Sequence, residues 1–300
     1  MVKIKIVLLY CFLTAGIIPK ADAKEQILFS KYSDDGYWQI WRMDTNGENQ
    51  KQMTESPGDK REPFWVGREN QFGYRTFNGE LFLCGSAGGG CEELASDLKP
   101  ISSPHYAPKT HELVFVRFLP QQADVGDIWK LDLQTKEAKV LSRSRYLSFQ
   151  PRITLDGEKI VFIQKDEERL NQIWVMNADG LNQIKIAEEY GRMASPEFSR
   201  DKQKILFTSN YQNNDFELYE IDVAAKKITP VVKNEGMDTS PMYSLDDSKI
   251  VFISNRGGDS QIWIKDLSNG IVKQLTFGTS SVDPIWVEME NKQDTRNNNQ

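Results

Sequence analysis

Histidine is nearly absent: His105 and His111 are the only two in 300 residues. An imidazole-based metal site needs several such ligands close together, and two leave little to build one from. His111-Glu112 has no second histidine four residues on, which excludes the zinc-protease helix. Other chemical signatures are missing as well. There is no G-x-S-x-G elbow, phosphate loop or dinucleotide fingerprint, and Gly85-Ser86-Ala87-Gly88 reads as a turn. The paired acids Asp34-Asp35 and Asp246-Asp247 also fall where turns belong. Exposed turn aspartates lack the dry surroundings that shift a carboxyl toward acid–base work. Asp44-Thr45-Asn46-Gly47 and Asn177-Ala178-Asp179-Gly180 lack the ligand series and closing Glu of a calcium loop, and suit hairpin turns. No catalytic residue, metal or cofactor is therefore expected.

Basic residues are outnumbered, 37 Lys and Arg against 43 Asp and Glu, for a formal charge of −6. That excludes the clustered basic footprint of a nucleic-acid binder. Long apolar runs are scarce too. The longest, Ile6 to Ile18, is too short for a membrane span of about 20 residues. Lys3 and Lys5 precede it and Ala21-Asp22-Ala23 follow. A basic start, a short apolar core and a small-x-small ending predict a signal peptide over 1–23, cleaved after Ala23. The mature chain is then expected to be periplasmic or secreted, monomeric and without a membrane span. It keeps two cysteines, Cys84 and Cys91, around the glycine-rich stretch 85–90. In an exported chain this placement predicts a disulfide across a hairpin; free thiols are the alternative if export fails.

Against these absences stands a repeat. A proline followed two residues later by a large apolar residue recurs six times: Pro63/Trp65, Pro104/Tyr106, Pro151/Ile153, Pro196/Phe198, Pro241/Tyr243 and Pro284/Trp286. The prolines are spaced by 41, 47, 45, 45 and 43 residues. In the fullest copy, Ser240–Tyr243 reads as a strand opened by proline, Leu245–Ser248 as a turn and Ile250–Ile253 as a buried strand. Gln261–Lys265 is a third strand, Leu267–Gly270 a hairpin turn, and Val272–Thr276 an outer strand. Four strands in about 40 residues, repeated, predict an all-β radial propeller of four-stranded antiparallel blades. Pro284 has no second strand after it, and the first apolar strand, Ile27–Ser30, has no proline strand before it. The segment 282–287 is therefore expected to supply the innermost strand of the blade begun at Ile27, closing six blades and removing free edges. The propeller is placed at 24–287 and a disordered polar tail at 288–300.

Several stretches resemble the TolB-type propeller repeat of the WD40-like PD40 family. They are Pro196–Asp201 through Ile205–Asn210, Pro241 to Arg256, and Ile173-Trp174-Val175-Met176-Asn177. The resemblance covers Ile27 to Val287 and leaves no length for the α/β domain that precedes the propeller in TolB. It implies a propeller that binds a protein partner of the cell envelope, as TolB binds peptidoglycan-associated lipoprotein. Related propellers include lyases with a histidine-rich metal site in the channel, which gives the alternative function, a carbohydrate-active enzyme.

The repeat also predicts a working surface. Loops before each first strand share a face with loops between second and third strands. The first set places Glu62, Ser103, Gln150, Ser195, Ser240 and Asp283 in a polar ring at the channel mouth. The second set adds Tyr211 and Arg256, and an apolar loop over 118–125 offers Phe118 and Leu119 as anchors. Variable loops on a rigid scaffold favour recognition, so a protein or peptide is expected to bind there. Arg152 and Glu197, each one after a proline in adjacent blades, are expected to pair near the channel.

Overall fold

The computed structural model describes residues 24–67, 70–86, 88–119, 122–188, 190–212 and 215–289. The expected export segment 1–23 lies outside the described residues. All regular structure among the described residues is strand, arranged as six four-stranded antiparallel sheets. Blade 2 consists of β4 (Lys60–Val66), β5 (Gln71–Thr76), β6 (Leu81–Cys84) and β7 (Glu92–Leu94). Blade 3 follows with β8 (Ile101–Ala107), β9 (Glu112–Leu119), β10 (Gln122–Asp132) and β11 (Ala138–Val140). Blades 4, 5 and 6 begin at β12 (Ser148–Ile153), β16 (Ala194–Phe198) and β20 (Asp238–Tyr243).

Blade 1 is made from both ends of the described chain. Its inner strand is β24 (Ser281–Met289), paired to β1 (Lys24–Tyr32), then β2 (Trp38–Asp44) and β3 (Lys51–Gln52). Ile27 faces Trp286 and Leu28 faces Ile285 across the closure, the pairing expected from the unpaired sixth proline. The strand carries on past Val287, since Glu25 pairs Glu288 and Lys24 pairs Met289.

Five blades bury a phenylalanine at the middle of the second strand, Phe29, Phe115, Phe162, Phe207 and Phe252, all fully inaccessible, and in blade 2 the equivalent position opposite Phe82 holds the buried Tyr74. Burying such a ring is worth about 2 kcal/mol, and six buried aromatic rings, five Phe and one Tyr, explain why the apolar run repeats. The third strands supply Trp41, Phe82, Trp129, Trp174, Tyr219 and Trp263, which pack against neighbouring blades. Blades also meet backbone to backbone. Gly180 holds a φ of +91°, and a Cβ there would stand 2.5 Å from the Leu141 carbonyl oxygen of the preceding blade. Gly47 meets Leu275 in the same way at 2.8 Å.

Two hairpins complete the frame. Cys84 and Cys91 form a disulfide across the turn between β6 and β7. The expected apolar loop over 118–125 is instead a hairpin: β9 and β10 run on until Leu119 pairs Gln122, with a register shift before Gly126.

Candidate functional site

The six residues before the prolines share one unusual geometry. Glu62, Ser103, Gln150, Ser195, Ser240 and Asp283 all have φ between 50° and 54°, a left-handed conformation rare outside glycine. In every blade the ladder shifts register at this point, so each residue forms a bulge in the inner strand. All six line a single polar cavity of about 90 Å³. Part of the ring is laced together. The Glu62 N–H donates to Asp283 Oδ2 (3.1 Å), the Ser103 N–H to Glu62 Oε2 (2.7 Å), and the Ser195 N–H to Gln150 Oε1 (2.7 Å). The long side chains of the ring thus reach the next blade's N–H.

The two acids of the ring are engaged by arginines. Arg61 Nε and Nη2 grip Asp283 at 2.6 and 3.2 Å while its guanidinium lies 4.4 Å above the Trp38 ring. Arg75 grips Glu62 through Nε at 2.9 Å and Nη2 at 3.3 Å. Burial alone would raise the Asp283 carboxyl, but the Arg61 ion pair overrides it and leaves the group below its usual value.

The other sequence-predicted residues divide. Tyr211 is half exposed and packs on Tyr190 with ring centroids 4.7 Å apart. Arg256 is held within its blade: it donates to the fully buried Asp238 (3.0 Å) and lies 4.6 Å over Trp263. Phe118 is half-buried near Gly126, and the Leu119 side chain lies outside the described residues. A groove of about 770 Å³ on this face is lined by Leu147, Phe149 and Leu170 together with Lys165, Arg169 and Arg192.

Sequence reasoning passed over the opposite mouth. There a cavity of about 590 Å³ opens among the first-to-second-strand turns and adjoins an apolar recess of about 170 Å³. The residue after each proline lines this end: Phe64, Met242 and Ile285 from blades 2, 6 and 1, His105, Arg152 and Glu197 from blades 3, 4 and 5. One side of the channel is therefore apolar and the other polar. Arg152 Nε stands 3.7 Å from Glu197 Oε2, the expected pair, and Arg152 also borders the small cavity of the ring. Glu197 Oε2 is buried without a hydrogen bond, and burial pushes the carboxyl up to about 7, against the pull of Arg152 and with help from Asp247. His105 accepts from the Ile153 N–H at Nδ1 (3.2 Å); burial, then Arg152, hold it well below its usual pKa and therefore neutral. The signal for this mouth was present in the sequence, since three of six post-proline positions are polar.

Two stretches, residues 69–215 and 210–293, match the PD40 family, the TolB beta propeller domain. The chain belongs to the TolB β-propeller family. Among curated proteins no match to the sequence was found. TolB from Acinetobacter baumannii superposes with a TM-score of 0.74 at 18% identity, over 87% of this chain and 66% of that one. This chain therefore spans just under two thirds of that TolB protein's length. A putative TolB from Agrobacterium tumefaciens gives 0.70 at 15% identity, over 86% and 91%. An oligogalacturonate lyase in complex with manganese gives 0.59 at 16% identity, over 83% and 73%. At these identities the likeness to TolB and to the lyase is one of fold. Among the described residues of this TolB-family propeller, no three His, Cys, Asp or Glu side chains come together as a metal site requires.

Proposed function

We propose that the protein is an exported, non-catalytic binding scaffold that engages a protein or peptide of the cell envelope across the loop-rich face. One observation carries this reading. Among the described residues, Tyr32, Tyr37, Phe77, Leu170, Tyr211, Met237 and Phe277 are exposed on the loops of that face. The remaining exposed large apolar residues, Leu181, Ile184, Leu267 and Ile271, lie at or beside third-to-fourth-strand turns. Clustered exposed aromatics mark interaction surfaces, and Tyr is enriched among interface hot spots. The groove beside Leu170 adds Lys165 and Arg192, cations that favour a partner with an acidic segment. Glu62, Asp283 and Arg256 act here as the frame that holds the face, since arginine–carboxylate pairs already engage them.

The test is to identify a partner by capture with the mature protein and then measure its affinity for variants. Changing Tyr211 and Phe277 to Ser should weaken binding at least about tenfold, which is 1.4 kcal/mol. Stability should change by less than about 1.5 kcal/mol, because Phe277 is exposed and Tyr211 gives up only its contact with Tyr190. Binding lost instead on charge reversal at Asp266 and Lys273, beside the third-to-fourth-strand turn of blade 6, would show that the wrong face has been chosen.

A further inference from the structure

The mouth opposite the loop-rich face has the features of a small-ligand site that binding at the loops does not use. Its apolar recess, walled by Phe64, Trp65, Met242, Leu245 and Trp286, measures about 170 Å³. An apolar cavity of about 150 Å³ is large enough to hold benzene, so the recess has room for one aromatic ring or branched alkyl group. The Trp286 indole N–H that borders it is buried without an acceptor.

The adjoining larger cavity is unbalanced in charge. It is lined by six carboxylates, Glu25, Asp156, Glu197, Asp246, Asp247 and Glu288, against three cations, Lys109, Arg152 and Arg200. Part of this is internally matched: Lys202 holds Asp156 at 2.6 Å, and Arg152 stands beside Glu197. Asp246 is also engaged, by the Ser244 and Ser248 hydroxyls at 2.7 and 2.8 Å, and Asp247 accepts from the Arg200 N–H at 2.7 Å, which leaves the Glu25–Glu288 pair and Glu197 least compensated. Glu25 and Glu288 sit directly opposite each other across the β1–β24 ladder, an arrangement that repels. Burial, then Asp246, raise the Glu25 carboxyl, and burial raises that of Asp247, where Asp201 and Asp246 add to the effect. Glu197 Oε2 is buried with no hydrogen-bond donor. Like charges gathered around a cavity are relieved by a cation that enters it.

We propose that this mouth binds an amphipathic monocation: an ammonium group among Glu197, Asp247 and the Glu25–Glu288 pair, with an aromatic or branched apolar body in the recess. Two sources share that chemistry, a small arylalkylamine and the free amino terminus of a peptide that begins with a large apolar residue. The mouth faces away from the loop-rich surface, so this site stands or falls independently of the partner proposed there.

The test uses the whole mature protein and three probes of one shape: phenethylamine, phenethyl alcohol and phenylacetate, titrated by calorimetry or ligand-observed NMR. The amine should bind at least tenfold tighter than the alcohol or the acid. That preference should shrink at least tenfold in Glu197→Gln. It should also shrink in the double variant Glu25→Gln, Glu288→Gln, which removes charge nearer the surface and guards against a folding defect at Glu197. A free-amino peptide beginning with Phe that displaces the amine, while its N-acetylated form does not, assigns the site to chain termini. Failure of both peptides to displace it assigns the site to small amines. Equal binding of the three probes, preference for phenylacetate, or no binding of the amine at millimolar concentration would overturn the proposal.

Discussion

At the loop-rich mouth Tyr211 and Phe277 stand 50% and 66% exposed, whereas at the other mouth Phe64 and Trp286, 2% and 4% exposed, face inward around a recess. Both ends are made by the same inner strands, so the contrast comes from the connections. The turns at the inward-facing mouth are short and alike. Thr154, Ser199 and Ser244 each donate a hydroxyl to an aspartate two residues on, at 2.6, 2.7 and 2.7 Å. Such side-chain-locked turns leave no slack, and their apolar neighbours must pack inward. The connections at the other mouth differ in length and composition from blade to blade, which lets side chains point into solvent. One repeat thus yields a stiff, concave end and a variable, convex one.

The largest test of this contrast is at the closure. Trp286 walls the recess and pairs opposite Ile27, so Trp286→Ala should cost about 3–5 kcal/mol, read from denaturant unfolding. A variant with an unchanged midpoint would mean that the stiff end does not depend on its closing strand. Next is the Cys84–Cys91 bridge at the outer edge of blade 2. Its removal by Cys84→Ser, Cys91→Ser should cost about 2–3 kcal/mol by loop-closure arithmetic. The intact mass of protein recovered after export should show the bridge and a chain beginning at Lys24. Retained Met1, or two thiols that alkylate under native conditions, would contradict the export reading. Gly180→Ala probes the seam between blades 3 and 4. With a carbonyl 2.5 Å from the new Cβ and a φ of +91°, it should cost about 2 kcal/mol.

The smallest effect is a dependence on pH. The Glu197 carboxyl has its pKa raised in the folded protein from 4.5 to about 7. The folded state therefore holds a proton that the unfolded chain releases, and the stabilisation is complete below pH 4.5. It is lost as pH climbs toward 7, so the wild type should soften over that interval more than Glu197→Gln does. Parallel melting-temperature profiles for the two proteins between pH 4.5 and 7 would remove Glu197 as the cause.

Blade number, strand order and closure were legible because each is written in short-range chemistry. The prolines recur every 41 to 47 residues, a buried phenylalanine stands third in the apolar run of five blades, and Pro284 lacks a following strand. The polar ring was legible as a set of positions, but its conformation was not. Nothing in Glu-Pro, Ser-Pro, Gln-Pro or Asp-Pro announces a left-handed residue, because the bulge is set by pairing with the second strand. Arg256 read as a loop residue of the binding face, and its ion pair was not legible because its partner Asp238 lies 18 positions earlier, at the start of another strand. The concave mouth was missed for a similar reason. Glu25, Arg152, Glu197 and Asp247 lie on four different blades, and each looks like an ordinary turn or strand-end residue until the ring brings them together.

The closing strand also fixes an orientation. Lys24 and Met289 are paired at the start of β1 and the end of β24, beside Glu25 and Glu288 at the concave mouth. Whatever polypeptide is joined to either end of the propeller leaves from the same side. A tether, a fusion partner or an affinity tag at either terminus would hold the concave mouth toward its point of attachment and turn the loop-rich face outward. For the same reason an assay for ligands at the concave mouth is best run on protein immobilised through an engineered site on the opposite loops.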